Sequence, residues 1–188
     1  VKIFKDRQFI NSFWVTLKFS LIETPLQMLI GIIISAIIAK NNFFNRCVRS
    51  IYFLPVITSA VTVGIMWQML LHSNVGLFTW WLQILGFGKI NLLNDPNTAL
   101  YAVIGVSLWR SFGISTIILV SAIQNVPIDY YEAAELDGAS KIRQFFSITL
   151  PDIMPAVWFL LMTRIIGSLQ VFDIIYTLTN GGPNKSTN

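Results

Sequence analysis

The chain has 188 residues, of which 54% are hydrophobic and 12% charged, about half the charge content of roughly 25% found in soluble domains. Its net charge of +4 comes without a dense Lys/Arg cluster and gives no basis for nucleic-acid binding. A single cysteine, Cys47, excludes an internal disulfide framework, and a single histidine, His72, leaves no basis for a metal cluster. This composition predicts an all-α, polytopic transmembrane helical bundle, because helices satisfy their backbone hydrogen bonds locally within a bilayer.

Four hydrophobic segments are predicted to cross the membrane, at about residues 13–39, 51–71, 99–123 and 156–179. The second holds 21 residues without a formal charge, which as a helix is about 31 Å long. Pro25 in the first segment and Pro55 in the second are expected to kink their helices. Residues 76–82 are aromatic and apolar but too short to span, and they suit an interfacial helix. This helix is either part of a re-entrant connector with an aromatic anchor or a docking site for an external binding protein.

Polar side chains interrupt these segments, and charges at such depth are costly enough to need a reason. Lys18 precedes the clean apolar run and is expected to snorkel towards the interface. Arg110 shares a helix face with two serines, and Gln170, Asp173 and Thr177 follow the spacing i, i+3, i+7. These faces either line a translocation path or bond neighbouring helices together, and both interpretations stay open. The candidate path residues are Thr58, Ser59, Thr62, Ser107, Arg110, Ser111, Gln170 and Asp173.

The interval over residues 125–155 is the longest polar stretch between hydrophobic segments, yet its pattern is that of helices and a tight turn. Pro127 suits a first helical position, and residues 128–136 after it are expected to form a short helix. A glycine after it can accept the positive φ of a turn. Ser140 is expected to cap a second helix, which ends before Pro151.

This interval also resembles a known motif. Glu132-Ala133-Ala134, then Gly138, Ile148 and Leu150-Pro151, are similar to the EAA loop of the permease subunits of binding-protein-dependent ATP-binding-cassette (ABC) importers. In that family the loop docks into a groove of the ATPase subunit, so the resemblance implies a coupling segment, the name used below for residues 125–155. The residues implied to couple to the ATPase are Tyr131, Glu132, Ala133, Ala134, Asp137, Gly138, Ala139, Ile148, Leu150 and Pro151.

Other segments resemble the carbohydrate-uptake branch of the family, which includes maltose, oligosaccharide and glycerol phosphate permeases. They are Tyr52-Phe53-Leu54-Pro55, and Phe172-Asp173 followed by Tyr176, Leu178-Thr179-Asn180-Gly181-Gly182-Pro183 and Ser186-Thr187. Family members usually have six spans, so residues 1–188 are expected to form a single permease domain within a longer protein. Permeases for polyamines, phosphate or metal oxyanions share the EAA loop and are the alternative within the family.

The resemblance implies ATP-driven import of a sugar or related polar solute, with cytoplasmic ABC ATPases, a second homologous permease, an extracytoplasmic solute-binding protein and the lipid bilayer as partners. The chain is expected to bind no cofactor and to have no catalytic or metal site, because ATP is used by the partner ATPase. In agreement, the sequence has no G-x-x-x-x-G-K-[ST] phosphate loop, H-E-x-x-H or G-x-S-x-G. A stand-alone secondary transporter or channel is the rival interpretation.

Positive charges do not decide the orientation in the cytoplasmic membrane, because five lie on each side of the predicted spans. The resemblance places the coupling segment in the cytoplasm and residues 74–97 outside. The charges are Lys40, Arg46, Arg49, Lys141 and Arg143 on the coupling-segment side, and Lys2, Lys5, Arg7, Lys89 and Lys185 on the other.

Overall fold

A computed structural model describes residues 6–86, 91–183 and 187. Lys2, Lys5, Lys89, Lys185 and Ser186, named above, lie outside these residues. The described part is helical and contains no strand, which confirms the all-α class. Its helices are α1 (Arg7–Ile38), α2 (Phe43–Ile57), α3 (Ala60–Leu70), α4 (Leu77–Ile84), α5 (Ala99–Gln124), α6 (Ile128–Leu136), α7 (Lys141–Gln144), α8 (Leu150–Asp152), α9 (Met154–Leu169) and α10 (Asp173–Thr179), with a π-helical turn over Phe145–Thr149 between α7 and α8.

Helices α1 and α5 form the centre of the bundle. Each is long and apolar enough to cross a membrane, as predicted for the first and third segments, and α1 continues through Pro25. The two helices pack extensively on each other, while α9 packs on α1 and α2 packs on α5. Phe19 from α1 and Val103 and Leu119 from α5 are fully buried, so the bundle centre is filled by large apolar side chains.

The second predicted span is not one straight helix. It forms α2 and α3, whose axes differ by 99°, and the two qualify as a span only when the bent pair is taken together. The break lies at Thr58 and Ser59, both with ψ near 140°, three residues beyond Pro55. Proline removes one backbone donor and clashes with the preceding turn, so the helix is weakened there and ends within a turn. The prediction of a continuous helix over residues 51–71 is therefore wrong.

The fourth predicted span is also broken. Helix α9 ends at Leu169 and α10 starts at Asp173, so an uninterrupted helix over residues 156–179 is not formed. On the other side of α9, the helical residues after Ser140 run through Pro151 to Asp152 and bend by 64° into α9. Pro151 does not end this helix as predicted, because it occupies the first turn of α8, where its missing N–H costs little.

Two apolar cores hold the helices together. The first joins α1, α3, α5 and α10 through residues such as Phe19, Val63, Val103 and Leu178. The second joins α1, α5, α9 and the coupling segment around Leu119, and its buried members are Met28, Leu119, Val126, Ile153 and Leu160. Because the coupling segment packs against this second core, its position is fixed relative to the spans that flank it.

Candidate coupling segment and intramembrane polar residues

The coupling segment is two short helices joined by a tight turn. Helix α6 spans the predicted residues, Ile128–Leu136, and Pro127 is its N-cap rather than its first helical residue. Gly138 has φ +75°, and its N–H donates to the Glu135 carbonyl at 3.0 Å. Ser140 caps α7 as predicted, its Oγ accepting from the Arg143 N–H at 3.4 Å. The positive φ confirms the predicted need for glycine at the turn.

Side-chain hydrogen bonds hold the two arms of the segment in a fixed arrangement. The Tyr131 hydroxyl lies 2.8 Å from the Thr149 Oγ1, which connects α6 to the π-helical turn. The buried Gln144 side chain donates to the Ala139 carbonyl at 3.2 Å. These hydrogen bonds connect the two arms of the hairpin to each other and to the turn between them, so the segment has a defined shape rather than that of a loose loop.

Large apolar side chains are exposed on the hairpin among charged ones. Leu136 is 91% exposed, Ile142 73% and Phe146 62%, although they belong to the longest polar interval between the hydrophobic segments. Glu132 and Ala133 are also exposed, whereas Tyr131, Ile148 and Leu150 are partly buried and pack against the second core. The structure thus brings the ten predicted coupling residues into one hairpin, and their coupling role remains a prediction.

An ion pair bridges the glycine turn, with Lys141 Nζ bonded to the exposed Glu135 carboxylate. The hydrogen bond from Lys141, and next its positive charge, lower the pKa of Glu135 below the usual range. Since this pKa is depressed in the folded state, the contribution of the pair is present at neutral pH and is lost as the pH falls through the folded pKa.

We expect Lys141→Gln to raise the pKa of Glu135 towards the ordinary glutamate range. The measurement is a pH titration followed by the NMR signals of 13C-labelled glutamate side chains, of which this sequence has three. Lys40→Gln, which removes a cation outside the coupling segment, is the control and should leave the Glu135 titration unchanged. A Glu135 pKa that is equal in the parent and in Lys141→Gln would contradict the assigned cause.

The candidate path residues fall into different surroundings. Ser107 and Ser111 are buried, and the Ser111 hydroxyl donates to the Ser107 carbonyl at 2.6 Å. Arg110 is partly buried, and its Nε finds no hydrogen-bond partner among the described residues. The other five candidate path residues lie at the helix breaks or in α3. The Thr58 hydroxyl donates to the Leu54 carbonyl. The remaining four are exposed on this chain: Ser59, Thr62, Gln170 and Asp173.

The break after α9 separates Gln170 from the predicted common face of the fourth span, whereas Asp173 and Thr177 both lie on α10. Gln170 follows the last residue of α9, whereas Asp173 is the first residue of α10. Their spacing of three residues therefore does not place them one turn apart on one helix. Thr177 instead bonds back within α10, its hydroxyl donating to the Asp173 carbonyl at 2.7 Å.

A set of buried and partly buried polar residues between α1, α5 and α9, called the polar seam below, was not among the predicted site residues as a group. On α1 the polar side chains recur at i, i+3, i+4 and i+7, the period of one helix face, and this spacing was the available signal. They face polar residues of the other two helices. The seam consists of Ser20, Glu23, Thr24 and Gln27 of α1, Ser107, Ser111 and Ser115 of α5, and Arg164 and Ser168 of α9.

Glu23 lies at the centre of the polar seam. It is 1% exposed, and its Oε1 accepts from Arg164 Nη2 at 3.3 Å and from Ser107 Oγ at 3.4 Å. One turn further along α1, the Gln27 side chain donates to the Ser111 carbonyl at 3.0 Å and to Ser115 Oγ at 3.1 Å. The negative charge of Glu23 is thereby paired within the bundle, as burial at this depth requires.

Comparison with known proteins places this architecture in a family. Residues 27–187 match the family described as binding-protein-dependent transport system inner membrane component. The chain is 34% identical over 187 residues to the trehalose/maltose transport system permease protein MalF of Thermococcus litoralis, covering all of this chain and 63% of that protein. It is 29% identical to the sn-glycerol-3-phosphate transport system permease protein UgpA of Pectobacterium atrosepticum, covering 99% of this chain and 63% of the relative.

The fold agrees with the same family. A bacterial alginate ABC transporter, crystallised in complex with an alginate pentasaccharide-bound periplasmic protein, matches 99% of this chain with a TM-score of 0.89 and 26% identity. This chain covers 65% of that structure's chain, so it spans about two thirds of the length of the proteins that it resembles. Because the family model covers most of the sequence, from residue 27 to residue 187, the chain belongs to the binding-protein-dependent transport system inner membrane components.

Proposed function

We propose that this chain is the core of a membrane-spanning subunit of an ATP-driven importer for a sugar or a related polyhydroxy solute. The observation that carries the proposal is the coupling segment, a hairpin that exposes the large apolar side chains Leu136, Ile142 and Phe146 and is connected to α5 and α9 by short turns. Exposed apolar surface at the edge of a transporter is typical of a protein contact. The proposed contact is with a cytoplasmic ATPase, because this sequence has no phosphate loop of its own.

The solute class is supported by the relatives. They are named for trehalose and maltose, for glycerol-3-phosphate and for alginate, which are polyhydroxy compounds. The alginate transporter was crystallised with a solute-loaded periplasmic protein, which supports an external binding protein as a partner here. A second homologous permease would complete the path, since Ser59, Thr62, Gln170 and Asp173 are exposed in this chain alone.

The coupling mechanism follows from connectivity. Three residues separate the end of α5 at Gln124 from the start of α6, and one residue separates the end of α8 from the start of α9 at Met154. A displacement of the hairpin by ATPase closure would therefore be delivered to both helices without an intervening flexible linker. Movement of the helices around the path would then expose the solute to alternate sides of the membrane.

The test is a mild-detergent pull-down of the full-length protein from its native membrane, with identification of every protein that copurifies. We expect an ABC ATPase and a second permease with an EAA loop, and ATP-dependent solute uptake after reconstitution. A homo-oligomer that carries no ATPase after mild cross-linking would contradict the importer and favour a secondary transporter, which would use intramembrane charges without ATP.

Arg110→Leu tests whether the polar face of α5 belongs to the path. Leucine inserts into a membrane more favourably than arginine by about 3 kcal/mol, so the variant should insert normally. We expect solute uptake to fall about tenfold, corresponding to roughly 1.4 kcal/mol of lost interaction with the solute or with a partner subunit. Uptake is measured per inserted transporter in reconstituted liposomes.

Lys18→Leu is the matched control, because Lys18 is another cation within a span but lies over the Tyr101 ring, 5.5 Å from its centroid. This variant should retain uptake. Unchanged uptake in stably inserted Arg110→Leu would remove Arg110 from the translocation path.

A further inference from the structure

Glu23 is the point at which three helices meet. Its carboxylate projects from α1 and, through Oε1, accepts hydrogen bonds from Ser107 on α5 and from Arg164 on α9. Helix α5 leads into the coupling segment and α9 leads out of it. One buried side chain on α1 therefore bonds to both helices that flank the coupling segment.

Neighbouring bonds of the polar seam repeat this arrangement. Ser20 Oγ and Ser168 Oγ lie 2.6 Å apart and join α1 to α9, while Gln27 joins α1 to α5. All of these side chains are buried, and the hydrocarbon around a transmembrane bundle offers no replacement hydrogen-bond partner. Separation of α1 from α9 would leave a carboxylate and a guanidinium unpaired, so the seam resists opening.

Direct contact with solute does not explain Glu23. Only 1% of the residue is exposed, and Oε1 is already shared by two donors. Its second oxygen, Oε2, is buried and has no partner among the described residues. The carboxylate therefore acts through the positions of its neighbours rather than on a transported molecule.

We propose that Glu23 is a positioning residue that fastens α5 and α9 to α1, so that the three helices move as one body when the coupling segment is displaced. The proposal rests on the importer function above, because that function supplies the displacement. It assigns α1, which is outside the coupling segment, a direct part in transmitting the motion.

The first experiment uses a disulfide across the seam in the full-length transporter, reconstituted with its partner subunits. Ser20→Cys and Ser168→Cys are combined in a Cys47→Ser background, because Cys47 is a free, exposed thiol. The 2.6 Å separation of the two hydroxyl oxygens favours a bond between the introduced thiols. If α1 and α9 move together, oxidation should leave ATP-dependent uptake within about twofold of the reduced protein, far below a tenfold effect.

Two results would contradict the proposal that α1 and α9 stay in contact along the polar seam. One is a loss of uptake on oxidation that is recovered on reduction, which would show that α1 and α9 must separate during the cycle. The other is failure of the thiols to join under oxidising conditions that cross-link a control pair, which would show that the two helices are not in contact in the assembled transporter.

The second experiment measures coupling. Glu23→Ala should lower the amount of solute imported per ATP hydrolysed by about fivefold or more, equivalent to about 1 kcal/mol, while ATP hydrolysis continues. A purely structural role would reduce the amount of inserted protein without changing this ratio. The exchanged pair Glu23→Arg with Arg164→Glu should recover at least half of the parent ratio, because it restores the ion pair between α1 and α9.

The outcomes separate this inference from the proposed function. An unchanged ratio in Glu23→Ala, in a parent that imports solute with ATP, overturns the role of Glu23 alone. Absence of ATP-driven uptake in the parent overturns the importer and, with it, the transmission of motion through the seam.

Discussion

The Gly138→Val variant is expected to insert and assemble normally, but its solute uptake should fall by more than about tenfold. This is the largest functional effect expected of any single change in the coupling segment. Gly138 has φ +75°, a conformation that costs a residue with a side chain about 1–2 kcal/mol and costs a β-branched residue more. The strain is in the backbone, since a Cβ at this position would meet no atom within 4 Å. The turn between α6 and α7 would therefore change its shape.

The consequence should be uncoupling. A distorted turn moves the exposed Leu136 and Ile142 relative to each other, and these side chains form the proposed ATPase contact. We expect ATP hydrolysis by the partner to persist while uptake falls, measured together in liposomes. Asparagine tolerates positive φ better than other non-glycine residues, so Gly138→Asn should retain a larger share of uptake.

Gly105→Val is the matched control for Gly138→Val. It introduces the same side chain, also with no atom within 4 Å of the new Cβ, but in a helix rather than at a positive φ. Its uptake should stay close to that of the parent. Normal solute uptake in Gly138→Val would remove the coupling assignment from the turn.

Of the three glycine-to-valine changes, Gly113→Val is expected to cause the largest loss of stability. A Cβ on Gly113 would lie 2.0 Å from the Tyr52 carbonyl oxygen and 2.9 Å from its carbon, so the obstacle is the backbone of α2. Side chains can rotate away from an added methyl group, whereas a helix backbone must move as a whole. Overpacking costs about 1–3 kcal/mol in soluble cores, and a backbone obstacle places this variant at the upper end.

The measurement is thermal unfolding of the purified protein in detergent. A loss of about 2–3 kcal/mol corresponds to a decrease in Tm of roughly 5–10 °C for a chain of this size. Gly105→Val again serves as the control, because it adds the same side chain to the same helix in open space. Equal Tm values for the two variants would mean that α2 and α5 are not in close contact at Tyr52.

The difference between these two glycines shows how far sequence reasoning extends. Gly138 was predictable, because Asp137-Gly138 lies between two helical patterns and a turn there needs a positive φ. Gly113 gave no comparable signal, because a glycine within an apolar helix is compatible with many surroundings. Its importance comes from Tyr52, which is distant in sequence and reaches it only through the packing of α2 on α5.

The helix breaks also separate what the sequence predicts from what only the packed structure shows. Pro55 indicated a weak point in the second span, but the 99° bend at Thr58 and Ser59 was not predicted from hydrophobicity alone. A run of 21 uncharged residues satisfies the length rule for a span whether it is straight or bent. Likewise, nothing in the apolar pattern around Gln170 indicated that α9 ends there.

The sequence by itself determined the all-α class, the approximate hydrophobic segments and the helix–turn–helix form of the coupling segment, because these depend on composition, periodicity and local φ preferences. Only the tertiary structure decided which polar side chains meet. Glu23, Ser107 and Arg164 are brought together from three helices, and Glu23 and Arg164, which are 141 positions apart in the sequence, carry no local sign of that contact. Burial in a common low-dielectric seam pairs them, and such pairing is a property of the packed bundle rather than of any one segment.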